Sequence, residues 1–246
     1  MLIWDGPRNG SINGVPLRYV DADYAKARTT LDEIIVLKPK AFFDEYAALY
    51  PEPPKTLLEV GVFEGGSALI FAEMWPEVKI TGIDSRKRND DLIQLINRFG
   101  LSDRISLHYE TSQADLAALN RILDAEMPEM DLIIDDASHL YQLSRKCFEI
   151  LFPRLKPGGR YIIEDWGWAH WESWAKLAQY TNEPALSNLV WELCMATATS
   201  PRIVSQAQLD SRKAVFRKAM TCPKLACPVA LEELYTARGQ HLQHLL

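Results

Sequence analysis

The chain has few cysteines, no excess of basic charge and no long apolar run. Only four cysteines occur in 246 residues, Cys147, Cys194, Cys222 and Cys227, and none forms a Cys-x-x-Cys pair. That spacing predicts neither a disulfide framework nor a structural zinc site, and reduced thiols fit a cytoplasmic protein. The formal net charge of −6 argues against a broad nucleic-acid surface. The short cluster Arg86-Lys87-Arg88 reads as a solvated face or a local substrate contact. No apolar stretch is long enough to cross a bilayer, so no membrane partner is expected. Residues Met1-Leu2-Ile3-Trp4-Asp5-Gly6-Pro7 lack a basic region followed by an apolar core, so no signal peptide is expected either. Gly-x-Ser-x-Gly is absent, which disfavours a serine hydrolase. There is no internal repeat and no low-complexity tract.

The remaining composition, 48% hydrophobic and 24% charged, is that of an ordinary globular chain. Its length suits one large α/β domain, alone or with a small appendage. Residues 1–20, with their Gly, Asn and Pro, read as an irregular arm. Helices are expected from Asp21 to about Leu37, with Asp21 or Asp23 as cap, and over 40–50. From Thr56 onward apolar runs and helical patterns alternate. Strands are expected at 56–60, 78–83, 105–109, 132–134 and 161–163. Helices are expected from the Gly turn to about Trp75 and over 90–99, 113–126 and 140–152. Lys156-Pro157-Gly158-Gly159 reads as a turn. This rhythm implies a parallel sheet covered on both faces. Beyond Asp165 come expected helices at 170–180, 185–198 and 229–246, and an antiparallel pair, 202–208 with 213–219, joined at Asp210-Ser211.

Two strand ends carry the chemistry. Leu132-Ile133-Ile134 runs into Asp135-Asp136-Ala137-Ser138-His139, and Tyr161-Ile162-Ile163 runs into Glu164-Asp165. Ligands of open α/β sheets bind at the carboxyl ends of strands. If these two strands are neighbours, Asp136, Glu164 and Asp165 converge beside His139. Such hard oxygen donors suit Mg²⁺ or Mn²⁺. An imidazole beside the cation is placed to take a hydroxyl proton. The alternative reading is that Asp135 or Asp136 caps the following helix.

The turn Glu59-Val60-Gly61-Val62-Phe63-Glu64-Gly65-Gly66-Ser67 joins the first parallel strand to its helix. It departs from the dinucleotide turn G-x-G-x-x-G, because Phe63 stands where the second glycine belongs. Glu59 would repel a pyrophosphate but suits a ligand bearing an amine. Asp84 closes the next strand, where an acid can accept hydrogen bonds from both ribose hydroxyls. With Lys156-Pro157-Gly158-Gly159 before the fifth strand, this order of features resembles the class I S-adenosylmethionine (SAM) methyltransferases over residues 55–220. Within them, Asp135-Asp136-Ala137-Ser138-His139 and Ile162-Ile163-Glu164-Asp165-Trp166 look like the Mg²⁺-dependent sugar O-methyltransferases of macrolide pathways and the rhamnosyl O-methyltransferase (cephalosporin-hydroxylase-like) group.

The resemblance implies a Rossmann-like α/β fold. It would have a seven-stranded, mostly parallel sheet, helices on both faces and an antiparallel last strand. Residues 55–222 would be the SAM-binding core, 1–54 an N-terminal arm with helices, and 223–246 a helical tail. By resemblance Glu59, Gly61, Gly65 and Ser67 line the methionine part of SAM, and Asp84 the ribose. Ser112 and Gln113 lie near the adenine, or else cap a helix. Asp135 stands beside the cofactor set, orienting His139 or capping the helix. Asp136, Glu164 and Asp165 bind the metal, and His139 is the base. Tyr141, Trp166, Trp168 and His170 are substrate-side candidates, with four of the seven tryptophans inside residues 166–174. Aromatic faces suit sugar faces, although Trp171 and Trp174 have the spacing of a helix packing on a core. The expected activity is SAM- and metal-dependent O-methylation of a diol-bearing small molecule, a sugar of a natural product or polysaccharide. The rivals are a metal-free methyltransferase acting on an amine or phenol, and a non-catalytic SAM-binding module. Exchange of the arm or tail between subunits would make a homo-oligomer.

Overall fold

The computed structural model describes residues 1–21, 24–237 and 239–241. They form two compact units, Met1–Thr111 and the described residues from Ser112 onward. In the first unit, β1 (Leu2–Trp4), β2 (Asn9–Ile12), β3 (Val15–Tyr19) and β4 (Ile34–Val36) make a four-stranded sheet in that order. The first two pairings are antiparallel and β3–β4 is parallel. Residues 1–20 are therefore not irregular. Asn13 and Gly14 both adopt positive φ between Ile12 and Val15, the two-residue turn that closes a hairpin.

The expected helix over 21–37 is also replaced. A 3₁₀ turn at Tyr24–Lys26 is followed by β4. Its proposed cap Asp23 lies outside the described residues. Two forces override the helical spacing. The β-branched run Ile34-Ile35-Val36 pairs with β3. Thr29 is tied to Glu64, its N–H donating to the carboxylate (3.1 Å) and its hydroxyl to the backbone carbonyl (2.7 Å).

Next come α1 (Lys40–Leu49), β5 (Thr56–Val60), α2 (Gly66–Met74), β6 (Lys79–Ile83), α3 (Asp90–Arg98) and β7 (Ile105–His108). Strands β5, β6 and β7 pair in parallel. Residues 57–60 of β5 are all buried, as expected of a strand covered on both faces. Helix α2 is buried along seven of its nine residues and packs on β6 and on β1, β2 and β4. Phe43 and Tyr46 of α1 meet Phe71 of α2 edge-on, at ring separations of 5.4 and 5.1 Å. Each such pair adds about 0.5–1.5 kcal/mol beyond its buried area. Asn89 caps α3 by accepting from the N–H groups of Asp91 and Leu92. Acidic residues fill the first turn of α3 and Arg98 its last, matching the helix dipole.

The second unit holds α4 (Leu116–Glu126), β8 (Met130–Asp135), α5 (Tyr141–Leu151), β9 (Leu155–Glu164), α6 (Ala178–Thr181), α7 (Ser187–Thr199), β10 (Val204–Leu209) and β11 (Lys213–Lys218). Its strand order is β10-β11-β9-β8, with β8 and β9 parallel and β10 and β11 antiparallel. With β5, β6 and β7 these strands make up a seven-stranded, mostly parallel sheet whose last strands are antiparallel, as expected.

Three local expectations fail here. Lys156-Pro157-Gly158-Gly159 lies inside β9, where the ladder to β8 shifts register and Gly158 takes φ +81°. The glycines make a bulge in a continuing strand. Residues 170–180 do not form one helix. A 3₁₀ turn spans Trp168–His170 and α6 only four residues, because the tryptophans stack on one another instead of lining one helical face. In the tail, Leu231–Glu233 is a 3₁₀ turn and Ala237 bridges Gln240, so its described part is not helical; 238 and 242–246 lie outside the described residues. Among the described residues no helix is long and apolar enough to cross a membrane.

Candidate active site

The first unit builds its site from backbone. After β5 the chain turns through Gly61 (φ +95°), Phe63 (φ +52°) and Gly65 (φ +78°) into α2. A Cβ on Gly66 would stand 2.2 Å from the Ile35 carbonyl oxygen, so only glycine lets β4 pass this close to the helix start. Asp84, just past β6, braces the turn. Its Oδ2 accepts the Phe63 N–H and its Oδ1 the Arg86 N–H, both at 2.7 Å. Each carboxylate oxygen has a second acceptor site, so Asp84 can hold the turn and still receive hydroxyl donors.

Glu59 is fully buried in β5, with the buried Lys38 Nζ 3.8 Å from its Oε1. Ser67 is buried in the first turn of α2. Glu64, inside the turn, accepts from Asn89 Nδ2 (2.6 Å) and from the Thr29 N–H, and pairs with Arg86 (3.0 Å). The Arg86 guanidinium lies over the Phe63 ring, 4.4 Å from its centre. Lys38, Thr29, Glu64 and Asn89 were not candidates in the sequence. Glu64 was visible inside the Gly turn; the others have no local pattern.

The second unit builds its site from side chains. Ser112 accepts the Ala114 N–H (3.2 Å), while Asp115, not Ser112 or Gln113, caps α4. Gln113 is buried and clasps the loop after β8. Its amide donates to Asp135 (3.4 Å) and its oxygen accepts the Ser138 N–H (3.2 Å). Asp135 is buried too, and receives the Tyr161 hydroxyl at 3.3 Å. Burial pushes its carboxyl up to about 7, opposed by hydrogen bonds from Ser144 and Tyr161. No side chain caps α5, so Asp135 and Asp136 do not serve as its caps.

Successive strand residues point to opposite faces, and here neighbouring carboxylates part company. Asp135 turns into the core and Asp136 toward His139, whose Nε2 lies 3.8 Å from Asp136 Oδ1. Donor atoms of Asp136, His139 and Asp165 all lie within 4.8 Å of one another. His139 (φ +55°) and Asp165 (φ +54°) both adopt the left-handed region without being glycine. Such backbone costs about 1–3 kcal/mol and clusters at functional sites. Glu164 stays in β9, buried, opposite Lys213 of β11, and is not in that donor group. The Asp165 N–H donates to the Arg212 carbonyl (2.7 Å).

The aromatic candidates separate. The Trp168 ring lies 4.3 Å from the His139 ring and stacks on Trp174 at 4.4 Å. The Trp166 indole N–H donates to the Asp210 carbonyl (2.9 Å), in the turn between β10 and β11. His170 meets the Ser187 hydroxyl at 2.7 Å. The Tyr141 hydroxyl donates to the buried Glu192, which Tyr235 also reaches, and Arg145 donates to Tyr141. Burial raises both Tyr141 and Glu192 above their ordinary ranges.

The stretch 58–166, which holds both sets of strand-end carboxylates, matches a family model described as a methyltransferase domain. The matched stretch includes every candidate site residue except Trp168 and His170. Among similar proteins, a mycinamicin VI 2''-O-methyltransferase of Micromonospora griseorubida is 29% identical over 136 residues, 52% of this chain and 31% of that protein. An 8-demethyl-8-α-L-rhamnosyl tetracenomycin-C 2'-O-methyltransferase of Streptomyces olivaceus is 28% identical, over 53% of this chain and 34% of its own. The chain thus spans about a third of the length of these relatives. A solved structure of the MycE methyltransferase of the mycinamycin pathway, in complex with Mg, SAH and mycinamycin VI, has a TM-score of 0.57 at 25% identity. That likeness covers 73% of this chain and 49% of the other.

Proposed function

We propose that this chain is a SAM-dependent, Mg²⁺- or Mn²⁺-assisted O-methyltransferase acting on a diol-bearing small molecule, a sugar of a natural product or polysaccharide. The observation that carries the reading is the grouping of Asp136, Asp165 and His139 within 4.8 Å. The two carboxylates suit a hard divalent cation, and the imidazole stands beside them. Such a cation, when bound, acts as a Lewis acid that lowers the pKa of a hydroxyl. Asp136 and Asp165 would hold it, with Glu164 behind them. His139, one face covered by Trp168, accepts the acceptor's proton on a ring nitrogen and keeps water from one side. Trp171, 45% exposed, offers an aromatic face to a sugar ring.

The Gly turn fits SAM by its shape. The glycines leave room for close approach, Asp84 has acceptor sites for the ribose hydroxyls, and Glu59 offers charge to an amine. SAM supplies an activated methyl group, so the chain's share is alignment and proton removal. The relatives and the MycE complex, which act on or contain sugar-bearing molecules by name, support the acceptor class.

Calorimetric titration of SAM and then Mg²⁺ into EDTA-stripped protein, repeated with Asp136→Ala, tests this. SAM binding in both, with a Mg²⁺ signal lost in the variant, is the expected result. SAM binding with full turnover in excess EDTA would favour the metal-free reading. Absence of SAM binding would overturn the proposal.

A further inference from the structure

Helix α7 carries a single charged side chain, Glu192, and that side chain is fully buried. A buried carboxylate is costly unless hydrogen-bond donors meet it. Two phenols do so here. The Tyr141 hydroxyl lies 3.1 and 3.0 Å from the two carboxylate oxygens, and the Tyr235 hydroxyl 3.1 Å from Oε1. Arg145 Nη1 donates to the Tyr141 hydroxyl (3.1 Å), and its other nitrogens reach Glu149 (3.2 Å) and Glu232. The Tyr141 hydroxyl is thus fixed from both sides, as a donor to Glu192 and an acceptor from Arg145.

Tyr141 opens α5 two residues after His139, and α5 has no side-chain N-cap to fix its start locally. Its first turn is held from outside instead. Glu183 accepts the Gln142 N–H at the surface (2.9 Å), and Glu192 holds Tyr141 in the interior. His139 keeps φ +55°, and backbone of that kind persists only where the surrounding structure over-determines it. On the near side Gln113 accepts the Ser138 N–H (3.2 Å). On the far side the buried hold is Tyr141 on Glu192. We propose that Glu192, acting through the Tyr141 hydroxyl, is a positioning residue for His139. This rests on the reading of His139 as the base. Tyr141 then serves the site through the backbone that joins it to His139, not by touching the acceptor.

The first test needs no acceptor. Imidazole ¹H–¹⁵N spectra are recorded on EDTA-stripped wild type, Tyr141→Phe and Glu192→Gln, with the His139 signals assigned by their loss in His139→Ala. Both variants are expected to move the His139 signals and to leave those of His108, on β7, in place. His139 signals that stay put would overturn the proposal, and so would a shift of every imidazole, the mark of general loosening. The second test is a double-mutant cycle on turnover of methyl α-L-rhamnoside at saturating SAM and Mg²⁺. Tyr141→Phe should lower kcat by about 10- to 100-fold, with KM and S-adenosylhomocysteine affinity within about twofold. In a His139→Ala background the same substitution should cost nothing further. An equal fall in both backgrounds would overturn the proposal, because a merely structural role acts without His139. If Tyr141→Phe does not fold, Glu192→Gln carries both tests, since it keeps the side-chain shape but leaves one acceptor oxygen for two hydroxyls. A His139→Ala variant as fast as wild type refutes the base reading itself, and the imidazole signals then decide the positioning separately.

Discussion

The Gly turn of the first unit and the carboxylate group of the second are both strand-end devices, but they are held in place differently. The turn is fixed by main chain. Asp84 accepts two backbone N–H groups, glycines take positive φ, and Gly66 lets β4 pass at contact distance. The carboxylate group is aimed by non-glycine residues in the left-handed region, His139 and Asp165, and by the Trp168 ring. The first arrangement requires particular residue types. The second requires particular directions, which the same residue types could take or not take.

If the two devices have separate tasks, substitutions should separate them. The largest effect is expected from Asp136→Ala. Loss of a Lewis acid worth several kcal/mol predicts a fall in turnover of about 10³-fold, while S-adenosylhomocysteine binding, read by calorimetry, persists. Metal-independent turnover at the wild-type rate would break the division. His139→Ala should lower kcat by about 10²- to 10⁴-fold with KM little changed, and steady-state kinetics with a sugar acceptor would detect this. An unchanged kcat removes His139 as the base.

Gly66→Ala probes the other device. Its added methyl meets the Ile35 carbonyl, and overpacking of this kind costs about 1–3 kcal/mol. Thermal denaturation should show a lower Tm, with nucleoside affinity reduced and metal affinity unchanged; a Tm equal to wild type would show that β4 yields easily.

The smallest effect is a slope. In the fold Asp135 titrates near 7, above its ordinary value of 3.8, so between these values the folded state holds a proton that the unfolded chain releases. Stability of EDTA-stripped protein should therefore fall as pH rises from about 4 to about 7. Asp135→Asn should flatten that slope in denaturant titrations at several pH values, and an identical slope in the variant would assign it to other groups.

Much of the α/β core was legible because its signals are local. The apolar runs at 56–60 and 161–163 lie within single strands, and the pattern over 90–99 falls on one helix. The N-terminal sheet was not legible. Asn13-Gly14 between Ile12 and Val15 was a hairpin signal that the surrounding Gly, Asn and Pro obscured. β4 had no signal beyond three β-branched residues, because its partner β3 is fifteen or more residues away. The tryptophan run looked helical by spacing, but ring stacking decided its path.

Taken alone, the amino-acid order determined the strand–helix rhythm, the glycine turn and the presence of carboxylates at two strand ends, since each depends on neighbours a few residues apart. Only the tertiary structure decided which of those groups meet. Asp136, His139 and Asp165 form one donor group while Glu164 and Asp135 turn into buried positions, and Lys38 is brought to Glu59. These outcomes depend on non-local strand pairing and on single backbone angles at strand ends. There a left-handed φ redirects a side chain without leaving a mark in residue type.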